Sequence, residues 1–177
     1  MKNPGLVHVY YGDGQGKTSA AVGLAVRACG SGGKALYTQF LKNGRSSELT
    51  ALRQLSDGVE MLLPKPCPKF VFQMTEEEKR QTTEEQTACF RQAVAKVTAG
   101  KYSLLVMDEI MDAVLLGMID RDEFLRFLKD KPSELEVTVT GHGMLAGLPE
   151  LADYISEIKK VKHPYDRGVK ARLGVDF

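Results

Sequence analysis

Residues Gly12–Ser19 read GDGQGKTS, an order of residue types suited to holding a chain of phosphates. Gly12, Gly14 and Gly16 permit positive φ and a close approach of backbone to an anion. Amides at the start of a following helix would point at the phosphates. Lys17 adds a mobile positive charge, and Thr18 offers a hydroxyl to magnesium. Asp13, Gln15 and Ser19 complete the candidate nucleotide segment. The pattern G-x-x-x-x-G-K-[ST] is met at Gly16, Lys17 and Thr18, whereas Tyr11 stands at its first glycine position. The plain alternative is a glycine-rich turn that caps a helix.

A second cluster lies far along the chain, in LLVMDE (104–109). It places Asp108 and Glu109 at the carboxyl end of an apolar run. In an open α/β sheet that edge is where ligands bind. An acid there can hold magnesium directly or through water, and residue types alone leave open which of the two does so. The alternative is a helix-capping Asp with an exposed Glu. No H-R-D or D-F-G set marks a protein kinase, and no glutamine or arginine finger can be assigned for hydrolysis. Together the clusters point to MgATP binding without naming the bond that reacts.

These residues need elements to position them. Leu6–Tyr11 is a short apolar run entering the glycine turn and reads as a buried strand. Lys17–Gly30 carries Ala21, Leu24, Ala25 and Ala28 at helical spacing, with Gly30 as a stop. Ala35–Leu41 reads as a second strand, Ser47–Leu55 as a short helix and Val59–Leu63 as a strand. Prolines 64, 66 and 68 exclude a helix interior or central strand. Thr75 and Glu78 form the signature of a capping box for a long helix that ends at Gly100. Leu104–Met107 is another strand. Asp120 caps a helix to about Leu128, with Pro132 beyond it. Glu136–Thr140 and Tyr154–Val161 are further strands. Strands alternating with helices predict a mostly parallel sheet covered by helices on both faces.

The bulk properties allow this. The 177 residues suit a single domain spanning 1–177, and 43% hydrophobic with 27% charged residues is ordinary for a globular protein. Lys+Arg 24 against Asp+Glu 23 gives +1, so no global field favours nucleic acid or a membrane surface. No apolar run is long enough for a membrane span, and the first residues lack a leader-like stretch. Cys29, Cys67 and Cys89 are widely spaced and suggest neither zinc nor a disulfide framework. They read as reduced thiols in a cytoplasmic protein, Cys29 and Cys89 on helix core faces. His8, in the first strand, reads as structural.

With these motifs in hand, the chain resembles the P-loop ATP:corrinoid adenosyltransferases. Four segments carry the resemblance: residues 12–44, LLVMDEIMDAVLLG (104–117), TVTGHG (138–143) and VKHPYDRGVKARLGVDF (161–177). The C-terminal segment is the most specific, and the family's non-glycine first loop position accounts for Tyr11. The resemblance implies a RecA-like P-loop fold, a homodimer, and attack by Co(I) of a reduced corrinoid on C5′ of ATP with triphosphate leaving. It implies Mg²⁺, with Mn²⁺ as an alternative ion, and an electron donor such as a flavoprotein. By position, Gly12, Asp13, Gly14, Gln15, Gly16, Lys17, Thr18 and Ser19 would bind ATP. Thr18, Asp108 and Glu109 would hold the metal, and Lys17, Thr18 and Glu109 would carry catalysis. Arg27 matches a family arginine near the nucleotide. Gln39 and Lys42 match a Q-F-x-K-G element, with Asn43 shifting its glycine by one. His142 stands where many members have arginine in a TGR element. Phe70 and Phe72 replace a GFTW-like aromatic segment as the candidate corrinoid contacts. A small phosphotransferase or a nucleotide-binding regulator is the competing reading.

Overall fold

The structure is a computed structural model that describes residues 4–67 and 69–176; Pro68 of the proline-rich break and Phe177 of the tail segment lie outside it. The elements run β1 (Val7–Tyr11), α1 (Lys17–Gly30), β2 (Ala35–Gln39), α2 (Glu48–Gln54), β3 (Val59–Met61), α3 (Glu76–Thr98), β4 (Leu104–Asp108), α4 (Ile110–Leu115), α5 (Arg121–Asp130), β5 (Glu136–Gly141) and β6 (Tyr154–Glu157). Short 3₁₀ turns lie at Val71–Gln73 and Pro164–Arg167. The strands pair in the order β3-β2-β4-β5-β1-β6, and every pair is parallel.

Side-chain alternation along the strands divides the core in two. Leu104 and Val106 of β4 join Ala21, Ala25, Leu49 and Leu52 under α1 and α2. Leu105 and Met107 face the other way, onto Phe90 and Ala93 of α3 and Phe124 of α5. Helices therefore cover both faces, as a parallel sheet with apolar runs requires. Phe90 packs edge-on against Phe124 and Phe127, with both centroid separations 6.2 Å.

All six strands end at one edge because all run parallel. β5 sits between β1, which carries the glycine loop, and β4, which carries the acids. That insertion is the arrangement of a RecA-like P-loop domain.

The capping box of α3 is present. The Thr75 amide donates to Glu78 Oε2 at 2.9 Å, and the Glu78 amide donates to Thr75 Oγ1 at 3.2 Å. Asp120 likewise accepts from the Glu123 amide at 2.7 Å to start α5. Three strands are shorter than expected. β2 stops at Gln39 because Leu41 takes φ 57° and turns the chain away from the sheet. β3 ends at Met61 and β6 at Glu157. The helix α4 has six residues, under two turns, which is too short to register as periodicity. Cys89 is buried on α3, Cys29 is only partly buried, and all three described cysteines are free thiols. No helix among the described residues is long and apolar enough to cross a membrane.

Candidate active site

The glycine loop leaves β1 at Tyr11 and enters α1 at Lys17. Gly12 and Gly16 hold φ of 117° and 116°, which favours glycine at both positions. Gly12 and Gly14 are required for a second reason. A Cβ on either would come within 2.4 and 2.7 Å of the Ile158 carbonyl oxygen. The Gly14 amide donates to that same oxygen at 2.8 Å. At these two glycines it is therefore the chain following β6 that makes the close approach. A Cβ on Gly16, by contrast, would meet nothing within 4 Å.

The amino end of α1 is left open. Its cap residue Gly16 supplies no side-chain bond, and no acid stands in the first turn. The first turn of α3 instead holds Glu76, Glu77 and Glu78. Unfilled amides at the end of a helix dipole are a seat for an anion. Lys17 Nζ donates to the carbonyls of Gly12 and Gly14 at 2.7 and 2.8 Å, which folds the ammonium over the loop. Burial lowers its pKa below the usual lysine value, with Asp112 and Glu109 pulling the other way.

Asp108 is fully buried at the end of β4 and accepts from three neutral donors. Thr18 Oγ1 lies 3.0 Å from Oδ1, Thr140 Oγ1 2.7 Å from Oδ1, and Gln39 Nε2 3.1 Å from Oδ2. Each donor comes from a different element, so the parallel edge itself assembles the set. Because Thr18 gives its proton to Asp108, its lone pairs are free for a cation. Among the described residues no group of three or more His, Cys, Asp or Glu side chains is arranged for a metal. A carboxylate and a hydroxyl, completed by phosphate oxygens and water, is the donor set that suits Mg²⁺.

Glu109 differs from its neighbour. It takes φ 58°, caps α4 in the left-handed region, and ion-pairs with Lys42 at 2.5 Å. Burial pushes its carboxyl above the usual carboxylate range, against the pull of Lys42. Burial works against the Lys42 charge too, but Glu109 outweighs it and the lysine pKa ends above its ordinary value. On the next turn Asp112 accepts the His142 amide at 3.1 and 3.2 Å and holds His142 Nδ1 at 3.0 Å. That bond raises the His142 pKa. Gly141 permits this approach, since a Cβ there would sit 2.5 Å from Met111 Cβ.

Two cavities meet at His142. A cleft of about 630 Å³ is lined by Lys42, Glu109, Asp112, His142, Phe70 and Phe72, among others. A smaller one, about 310 Å³, lies between the glycine loop and the C-terminal tail, where Lys17, His163, Tyr165 and Lys170 line it. The tail is tied down by Gln15 Nε2 donating to Asp176 Oδ1 at 2.7 Å and by the Lys160 amide donating to Asp13 Oδ1 at 2.9 Å. Phe70 and Phe72 are 71% and 80% exposed, which removes them from the core. Their rings stack at 5.5 Å and 11°. The 3₁₀ turn at Val71–Gln73 brings the two rings together.

The full length of the chain also matches known proteins. The family model for the ATP:corrinoid adenosyltransferases BtuR/CobO/CobP matches residues 3–177. The chain belongs to that family. A corrinoid adenosyltransferase of Escherichia coli K12 is 32% identical over 181 residues, covering 98% of this chain and 86% of the relative. One from Pseudomonas aeruginosa is 30% identical, covering 98% and 84%. The corrinoid adenosyltransferase CobA of Salmonella typhimurium is 30% identical, covering 98% and 86%.

Within this member the parallel edge gathers Lys17, Thr18, Asp108, Glu109 and His142. It does not gather Arg27. That residue is exposed in the last turn of α1 and lies ten residues past Lys17, about 15 Å along the axis. Asp112 was not legible beforehand, since it sits on the unexpected α4. Thr140 was visible only as part of TGH, and its bond to Asp108 needs the β4–β5 register.

Proposed function

We propose that this chain moves the 5′-deoxyadenosyl group of ATP onto the Co(I) centre of a corrinoid and releases triphosphate. Membership of the family supports adenosyl transfer to a corrinoid, and its members' substrates are ATP and a corrinoid. The observation that supports the finer reading is that His142 lines both the cavity against the glycine loop and the cleft of about 630 Å³. Glu109, Lys42 and His142 line that cleft together with the aromatic pair. A nucleotide held by its phosphates there would present its adenosyl end to a flat macrocycle against Phe70 and Phe72.

The chain's own groups do the work of positioning. The open amino end of α1 and Lys17 bind the phosphate chain, and Asp108 orients the Thr18 hydroxyl. Thr18 and Asp108 would hold Mg²⁺, which when bound neutralises phosphate charge and so makes triphosphate a better leaving group. Donors around the whole departing anion favour its release over attack at a single phosphorus. Hydrolysis would need an activated water, and the carboxylates at the edge are engaged by Lys42, by His142 and by the Asp108 donors.

The test mixes protein, MgATP and chemically reduced corrinoid. Absorbance should report formation of the Co–C bond, with stoichiometric triphosphate in the products. ADP, or phosphate without an alkylated corrinoid, would overturn the reading in favour of a phosphotransferase.

A further inference from the structure

We infer that Lys42 is the cation that receives the negative charge on the oxygen leaving C5′, and that Glu109 holds it ready. The inference rests on the adenosyl-transfer reading above. Its first support is backbone strain. Among the described residues the non-glycine positions with positive φ are Leu41 at 57° and Glu109 at 58°. Such conformations are unfavourable for side-chain-bearing residues and persist where the surroundings impose them. The two strained residues sit at the ends of adjacent strands, next to the link from the Phe40 amide to the Asp108 carbonyl at 2.9 Å. The Leu41 amide is held by Gln86 Oε1 at 3.2 Å, and Gln86 is itself buried. The result is a chain that turns Lys42 back across the sheet edge onto Glu109.

Position is the second support. Lys17 lies over the loop carbonyls and lines the tail-side cavity. Lys42 lines the cleft, where the reacting carbon must meet the corrinoid. The other cations of that cleft are placed differently. Lys69 and His142 are 48% and 64% exposed, and Arg45 is exposed as well. The Lys42 side chain is 30% exposed and Glu109 19%. Of the cleft's cations it is the one most shielded from water, which strengthens its effect on developing charge.

The step balances without a proton. The Co(I) electron pair forms the Co–C5′ bond, and the C5′–O bond breaks. The departing pair stays on the α-phosphate oxygen, and cobalt ends as Co(III). Lys42 donates a hydrogen bond to that oxygen as its charge grows. Free tripolyphosphate already carries that terminal charge, whereas ATP does not.

Lys42→Gln should therefore lower turnover with pre-formed Co(I) corrinoid by about a hundred-fold or more, while ATP affinity changes by less than about threefold. Lys42→Arg should restore part of the turnover. An equilibrium readout stands beside activity: calorimetric titration should show tripolyphosphate affinity falling about tenfold or more relative to ATP. Should the stranded Glu109 prevent Lys42→Gln from folding, Lys42→Gln with Glu109→Gln removes both charges, and the same loss of tripolyphosphate preference is expected. Unchanged turnover, or an equal loss of ATP and tripolyphosphate binding, overturns the role of Lys42. If the unaltered protein makes no adenosyl-corrinoid, the reaction itself is wrong, and that failure is read before any variant.

Discussion

Contacts with Thr18 and Lys42 distinguish two acids that residue types alone leave equal. Asp108 touches the Thr18 hydroxyl, whereas Glu109 is committed to Lys42. Asp108→Asn should therefore raise the Mg²⁺ concentration needed for half-maximal ATP binding by about tenfold, the worth of one charged hydrogen bond. Glu109→Gln should leave that midpoint within about twofold. A metal titration in which Glu109→Gln moves the midpoint more would exchange the roles. His142 provides a pH signature. Its Asp112 bond raises its pKa above the usual histidine value. The charged form is thus favoured in the fold, so its stabilising contribution is complete below about 6.5 and fades as pH rises through the raised value. If His142 faces bound phosphates, as proposed, ATP affinity should weaken over that same interval as its charge is lost. His142→Gln should flatten the affinity-against-pH curve above about pH 6.5; an unchanged slope assigns the titration to another group.

At the scale of elements, the turn at Val71–Gln73 matters most. It presents Phe70 and Phe72 stacked and exposed beside the cleft, immediately before the capped start of α3. Exposed rings contribute little to folding, but they can bury apolar area against a ligand. Two phenyl rings amount to at most about 3–6 kcal/mol. Spent on displacing a lower axial ligand from cobalt, that would shift a one-electron potential by roughly 130–260 mV at most. The pair Phe70→Ala with Phe72→Ala should leave ATP binding and the melting temperature almost unchanged. Adenosylation from Co(II) with a mild reductant should collapse, while reaction with pre-formed Co(I) survives. Equal loss of both reactions would show that the rings bind corrinoid without tuning it.

Across the whole molecule, the aromatic core and the candidate site occupy different parts of the sheet. The aromatic cluster of Phe90, Phe124 and Phe127 lies on the α3–α5 face, and the phosphate seat opens at the carboxyl edge. Phe124 is fully buried, so Phe124→Ala should cost about 3–5 kcal/mol in urea unfolding. ATP affinity of the protein that remains folded should be unchanged. A loss of affinity without a loss of stability would show that the cluster reaches the site.

GKT after an apolar run, followed far later by an apolar run ending in two acids, was enough to read a nucleotide-binding parallel α/β fold. The reason is local. Phosphate seats need glycines, a helix start and a lysine in fixed order, and buried parallel strands announce themselves as apolar runs. The same locality made the Thr75–Glu78 cap legible, since both partners lie within one turn. Only the tertiary structure separated Asp108 from Glu109, set Thr140 and Gln39 around the former, and joined Lys42 to the latter. These contacts span 32, 69 and 67 residues and depend on strand order and on the backbone at Leu41 and Glu109. Arg27 lies close to Lys17 in sequence, and helix α1 sets it about 15 Å further along the axis, since each residue rises about 1.5 Å.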